Sequence, residues 1–269
     1  MDKIRQAIEQ ARTERERSAP NQHDIPATSS APAHPLRRAA VPFEPNAERL
    51  ADALILPAND AGEAARAIRL LRTIVLQRMH EHGWRTLGIV AAHHADGKST
   101  LAGNLAVAIA TDPRCSAVLV DLDVSAPWVS RTFGAPNSDG LAACLLGETD
   151  LEHCTFAPTG VGRLEIVTLA PEGAAVDPAI VALPSLAVTL GRLKEREDSI
   201  VIVDLPAVLD SDAALTAATL CDCLIFAVKE GRTTRADLER GLGLLAAVPV
   251  LGTVLMDSLT APVGETVRT

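Results

Sequence analysis

The residues most able to do chemistry lie in the run Ile89-Val90-Ala91-Ala92-His93-His94-Ala95-Asp96-Gly97-Lys98-Ser99-Thr100. An apolar stretch ends there in a turn, and a helix-forming stretch begins at the lysine. Such a turn aims backbone N–H groups and a helix N-terminus at one point, which suits a chain of phosphates. Lys98 would reach the β and γ phosphates, the Ser99 hydroxyl would sit on Mg2+, and Asp96, Gly97 and Thr100 would complete the loop. Ala92 stands where the general pattern has its first glycine.

Metal-assisted phosphoryl transfer also needs carboxylates beside the phosphates. Val118-Leu119-Val120-Asp121-Leu122-Asp123 ends an apolar run with two of them, and Ile200-Val201-Ile202-Val203-Asp204 ends another with one. A single Asp after an apolar run is usually a turn former. The order loop, Asp-x-Asp, Asp is far more specific, because in an open parallel sheet all three converge at the carboxyl edge. Asp121 and Asp123 are therefore candidate catalytic groups with Lys98, and Ser99, Asp121 and Asp204 are candidate metal ligands.

The elements that must position them follow from hydrophobic pattern. Buried strands are predicted at 86–92, 117–122, 164–169, 200–203, 223–228 and 250–256, with helices at 98–110, 185–196, 213–220 and 233–246 between them. This alternation predicts an α/β fold, a doubly wound, mainly parallel sheet. A further helix over 62–82 carries Arg66, Arg69 and Arg72 on one side, with Ile68, Leu71, Val75 and Met79 on the other and Gly83 as its stop.

Residues 1–17 read as a short charged helix and 18–46, with six prolines, as an extended linker. The folded domain is expected over 47–257, followed by a flexible tail at 258–269.

Composition excludes several function classes. The 269 residues carry a formal charge of -9 and no dense Lys/Arg run, so nucleic acid is not an expected partner. The five cysteines form no Cys-x-x-Cys pair and read as buried thiols. The longest uncharged apolar stretch, 241–256, is too short to cross a bilayer and contains Pro249, so no direct membrane insertion is expected.

Several segments together resemble the bacterial tyrosine kinases (BY-kinases), P-loop ATPases of exopolysaccharide and capsule biosynthesis. They are residues 63–73, Gly83-Trp84-Arg85-Thr86-Leu87, the Gly97-Lys98-Ser99-Thr100 turn with Asn104-Leu105-Ala106, Asp121-Leu122-Asp123, Phe133-Gly134, Asp204-Leu205-Pro206, Ser211-Asp212 and Glu230-Gly231-Arg232-Thr233-Thr234. The resemblance covers nearly everything after the linker.

It implies ATP and Mg2+ at Lys98, Ser99, Asp121, Asp123 and Asp204, and an inner-membrane chain-length regulator (co-polymerase) as partner. It also implies a homo-oligomer built through Glu63, Arg66 and Arg69, and a cytoplasmic location at the membrane's inner face.

Departures from the family point to low or degenerate phosphotransfer. His94-Ala95-Asp96 replaces Pro-Gly-Glu, and a left-handed Ala95 would cost about 1–2 kcal/mol. No basic pair follows Asp123, and Met256 stands where an adenine-reading Asn is expected. The chain has no tyrosine at all, so it cannot phosphorylate itself on one. Two alternatives stay open: a non-catalytic scaffold of an export complex, and a positioning ATPase of the ParA and MinD type.

Overall fold

A computed structural model describes residues 40–124, 128–136, 140–171, 174–196 and 198–257. These belong to one compact unit, Ala39–Thr269. The expected N-terminal helix and C-terminal tail lie outside the described residues, as does the linker up to residue 39.

Eight strands form one sheet: β1 (Val41–Phe43), β2 (Thr86–Ala91), β3 (Ser116–Asp121), β4 (Thr155–Pro158), β5 (Leu164–Val167), β6 (Ser199–Asp204), β7 (Cys223–Lys229) and β8 (Val250–Met256). Their spatial order is β1-β4-β5-β3-β6-β2-β7-β8. Every pairing is parallel except β4 with β5.

The helices are α1 (Ala47–Asp52), α2 (Glu63–His82), α3 (Lys98–Ala110), α4 (Val129–Phe133), α5 (Gly140–Leu146), α6 (Pro184–Lys194), α7 (Asp212–Ala218) and α8 (Arg235–Leu244). Two 3-10 turns, Leu151–Cys154 and Pro178–Ala182, complete the elements of the described residues.

The central strands are apolar throughout because helices cover both faces. All six residues of β2 and of β6 are buried. Alternate side chains nevertheless part to opposite sides. Ile200 and Ile202 join Leu87, Ile89, Leu101, Leu105, Val75 and Met79 on the face carrying α2 and α3. Val201 and Val203 join Val90, Val118, Leu141, Leu186 and Leu190 on the face carrying α5 and α6. The doubly wound α/β expectation holds.

Two strands and three helices depart from the sequence reading. Val41–Phe43, expected within the linker, pairs in parallel with β4, where Phe43 meets Phe156 edge-on at 6.2 Å. It is a three-residue edge strand interrupted by Pro42, so neither length nor alternation announces it. Asn46 then caps α1, its side chain accepting from the Arg49 N–H at 2.9 Å. Strand β4 and helices α1, α4 and α5 are each seven residues or fewer, so each offers little pattern to read.

Helix α2 matches its predicted span and ends at Gly83 in the left-handed region (φ +69°). Val75 and Met79 are buried, and Ile68 and Leu71 pack partly buried beneath it. Leu70 and Ile74 face outward instead, about two-fifths exposed.

Candidate active site

The β2–α3 turn is built by backbone geometry. Ala95 (φ +65°) and Gly97 (φ +91°) both occupy the left-handed region, and α3 springs from Gly97 at Lys98. Glycine accepts that conformation freely; alanine does so at a cost of about 1–2 kcal/mol. Ala95 therefore carries the strain that its replacement of glycine predicts. A Cβ on Gly97 would stand 3.1–3.3 Å from the Met256 side chain, so the end of β8 rests directly on the turn.

In the sheet β6 runs between β3 and β2, so the three sequence motifs finish side by side at one edge. Asp121 lies directly across from Asp204, and Ile89 across from Asp204 on the other side. Lys98 reaches into this edge from α3. Its Nζ donates to Asp123 Oδ2 at 2.5 Å, Ser99 Oγ at 3.1 Å and Asp204 Oδ1 at 3.3 Å. All four charged groups are at least 97% buried.

The three acids are not equivalent. Asp121 Oδ1 accepts the Asp123 N–H, and its Oδ2 accepts the N–H groups of Trp128 and Val129. Three of its roughly four lone-pair directions are spent shaping the chain after β3. Asp123 Oδ2 takes Lys98 and also lies 3.5 Å from His94 Nδ1. Asp204 holds Lys98 through Oδ1, while its Oδ2 is buried with no hydrogen-bond partner.

Electrostatics follow from that packing. Burial, then the facing Asp204, pushes the Asp121 carboxyl up to about 7. Burial also raises Asp204, against the pull of Lys98 and Ser99. Lys98 would lose its proton more easily from burial alone, but Asp204 and Asp123 hold it above its ordinary range. Three carboxylates against one ammonium leave an anionic pocket, the environment a divalent cation offsets.

Among the described residues no cluster of three His, Cys, Asp or Glu side chains could hold a metal by itself. A Mg2+ here fits the usual pattern of one or two protein ligands completed by phosphate oxygens. The orphaned Asp204 Oδ2 and the neighbouring Ser99 hydroxyl are suited to it.

The remaining expected residues fall in different places. Asp96 is fully buried, its side chain turned away from the turn's open side: Oδ2 accepts from the His93 N–H (3.1 Å) and from Thr233 Oγ1 (3.0 Å). Only its backbone remains for a phosphate. Thr100 sits half-buried in the first turn of α3, its carbonyl accepting from Asn104.

The two adjacent histidines point apart. His93 Nδ1 meets Asp210 at 3.1 Å and Nε2 lies 3.6 Å from Asp237, while the His94 N–H donates to Asp210. Asp210 and Asp237 were invisible as site residues because nothing in their local sequence links them to the turn.

On α2, Glu63 and Arg66 are exposed. Arg69 donates to the Asp60 carbonyl at 2.7 Å, and Arg72 turns inward to the Ala108 carbonyl at 3.2 Å. The outward part of the arginine pattern is thus its first turn.

No family model matches the chain. Among curated proteins it is 27% identical over 190 residues to the "Putative tyrosine-protein kinase CapB" of Staphylococcus aureus, covering 70% of this chain and 81% of that protein. It is 25% identical over 178 residues to the tyrosine-protein kinase YwqD of Bacillus subtilis, covering 66% and 73%.

Solved structures agree in fold. The kinase domain of the Escherichia coli tyrosine kinase ETK aligns with a TM-score of 0.67 at 23% identity, over 78% of this chain and 80% of that one. The chimeric protein CapA2B2 aligns at 0.68 and 21%, over 80% and 92%. The septum site-determining protein MinD of Pyrococcus horikoshii, solved with Mg-ADP, aligns at 0.53 and 23%, over 64% and 69%.

The chain thus shares its fold with the kinase domain of ETK and with MinD, and in sequence it is similar to two proteins described as tyrosine-protein kinases.

Proposed function

We propose that the chain binds Mg-ATP at the β2–α3 turn and acts as a BY-kinase-like regulator of exopolysaccharide or capsule biosynthesis and export, with low or degenerate phosphotransfer. One observation carries this reading: Lys98 is held among Asp123 and Asp204 at the shared edge of β2, β3 and β6. A buried lysine at a helix N-terminus, poised between acids and an open turn, is what phosphate capture with a divalent cation requires.

The residues' parts follow from their contacts. A bound Mg2+ would supply positive charge against the charge that grows on the transferred phosphoryl group. Ser99 and Asp204 would hold it, with Asp121 lending charge from behind. Lys98 must turn from Asp123 to reach the phosphates, and Asp123 would then orient an acceptor hydroxyl and take its proton.

Low turnover is expected for three reasons: the strained Ala95, the absence of a basic pair after Asp123, and the lack of any tyrosine. The acceptor would be another protein.

Exposed Glu63 and Arg66 support contact between copies of the chain, whereas Arg69 is already engaged within it. No helix among the described residues is long and apolar enough to cross a membrane. A cytoplasmic role at the membrane would therefore run through an inner-membrane chain-length regulator. Isothermal titration with Mg-ATP tests the reading: no binding at millimolar nucleotide by folded protein would leave a scaffold in its place. The MinD-like fold favours one second reading, a positioning ATPase, which a nucleotide-dependent dimer enclosing two ATP molecules would establish.

A further inference from the structure

The turn that precedes α3 lacks the features that normally make such a loop self-supporting. Ala92 replaces a glycine, and Ala95 is held at φ +65°. Something outside the turn must keep it in shape.

The buried side chain of Asp96 leaves the turn and reaches the segment between β7 and α8. Thr233 Oγ1 donates to Asp96 Oδ2 at 3.0 Å while accepting the Lys229 N–H at 2.9 Å, so the hydroxyl welds the end of β7 to the turn. Arg232 makes a second link. Its Nε lies 3.2 Å from Asp96 Oδ1, and its Nη2 donates to the His94 carbonyl at 2.9 Å. The guanidinium thus spans the turn on both sides of Ala95.

From this geometry we propose that Arg232 and Thr233 are positioning residues that hold the β2–α3 turn, through Asp96, in the shape that receives a phosphate chain. They touch no phosphate themselves. The pair replaces from outside what a glycine-rich loop supplies from within: Thr233 fixes the Asp96 side chain, and Arg232 fixes the carbonyl before Ala95. A guanidinium is suited to this because its planar fork meets two acceptors at fixed spacing, and a lysine ammonium is not. The consequence for phosphate binding rests on the function proposed above; the clamp itself does not.

Two measurements on the full chain keep these apart. Hydrogen exchange of the 92–98 amides in nucleotide-free protein reads the clamp directly. R232A and T233V should speed exchange there at least fivefold, and by more than they speed exchange of the sheet amides of β2 and β6. T233S should restore protection because it keeps the hydroxyl, and R232K should restore it only in part.

Titration with Mg-ADP and Mg-ATP then reads the function. R232A should weaken both about tenfold, whereas E239A, on the outer face of α8, should not. Unchanged exchange in R232A and T233V overturns the clamp, whether or not wild type binds nucleotide. Faster exchange with undiminished nucleotide affinity overturns the positioning role. Wild-type protein that binds no nucleotide but shows the exchange effect removes the function proposed above and the positioning role, and leaves the clamp.

Discussion

Replacing Lys98 by methionine keeps the length and most of the volume of the side chain while deleting its charge. In the nucleotide-free chain that charge faces Asp123 at 2.5 Å and Asp204 at 3.3 Å, with all three side chains at most 4% exposed. Removing one partner of a buried ionic set typically costs about 3–5 kcal/mol, because the others remain buried and uncompensated. For a unit of this size each kcal/mol shifts the melting temperature by about 2–4 °C, so K98M should melt roughly 10 °C lower.

The loss must depend on pH. Without Lys98 the carboxylates relieve themselves by binding a proton, so their folded pKa values rise further above the unfolded ones. Folded protein then holds more protons than unfolded protein across that window, and stability falls as pH rises through it, by about 1.4 kcal/mol per pH unit per proton. Urea unfolding at pH 5, 6.5 and 8 without nucleotide measures this. The deficit should be small at pH 5 and largest at pH 8. A K98M protein as stable as wild type at pH 8 would refute the charge argument and reduce Lys98 to a ligand contact. If the argument holds, loss of function in a lysine variant cannot by itself be assigned to phosphate binding.

Asn104 is almost fully buried and joins the 54–56 segment to α3, with 2.9 Å bonds to the Leu54 carbonyl, the Leu56 N–H and the Thr100 carbonyl. N104A removes that side-chain partner from three backbone groups and should cost about 1–3 kcal/mol in urea unfolding; a smaller loss would mean water replaces the side chain. His93 is raised above its ordinary pKa chiefly by its bond to Asp210, against the effect of burial. A histidine with a raised folded pKa contributes fully below about pH 6.5 and loses that contribution as pH climbs through the folded value. The stability gap between wild type and H93N should therefore close between pH 6 and 8, and at this part-exposed site should not exceed about 1 kcal/mol. A gap that widens with pH would contradict the ion pairs.

Long, uninterrupted patterns made most of the fold legible. The apolar runs of β2, β3, β6 and β7 ended within a residue or two of their predicted limits, because burial on both faces demands unbroken apolar sequence. The convergence of Lys98, Asp123 and Asp204 followed from strand ends alone. What stayed hidden depends on partners remote in sequence. Val41–Phe43 is a strand only because β4 offers an edge, and β4 is itself four residues long. Asp96 looked like a ligand because of its place in the motif, yet its side chain answers to Thr233, 137 positions away. Asp121 looked equal to Asp123, but the backbone that fills its oxygens belongs to residues 128 and 129, whose approach no local pattern encodes.

The strand order has one further consequence. Strands β1 and β8, first and last in the described chain, are the two outermost members of the sheet. Seven steps of about 4.8 Å put them roughly 34 Å apart along the sheet. A probe or binding partner on the Val41 flank and another on the Met256 flank thus occupy separate room, and neither blocks the other. Because Met256 also rests on Gly97, a load applied at that second flank is felt in the turn, whereas the first flank lies five strand steps from β2, which the turn follows.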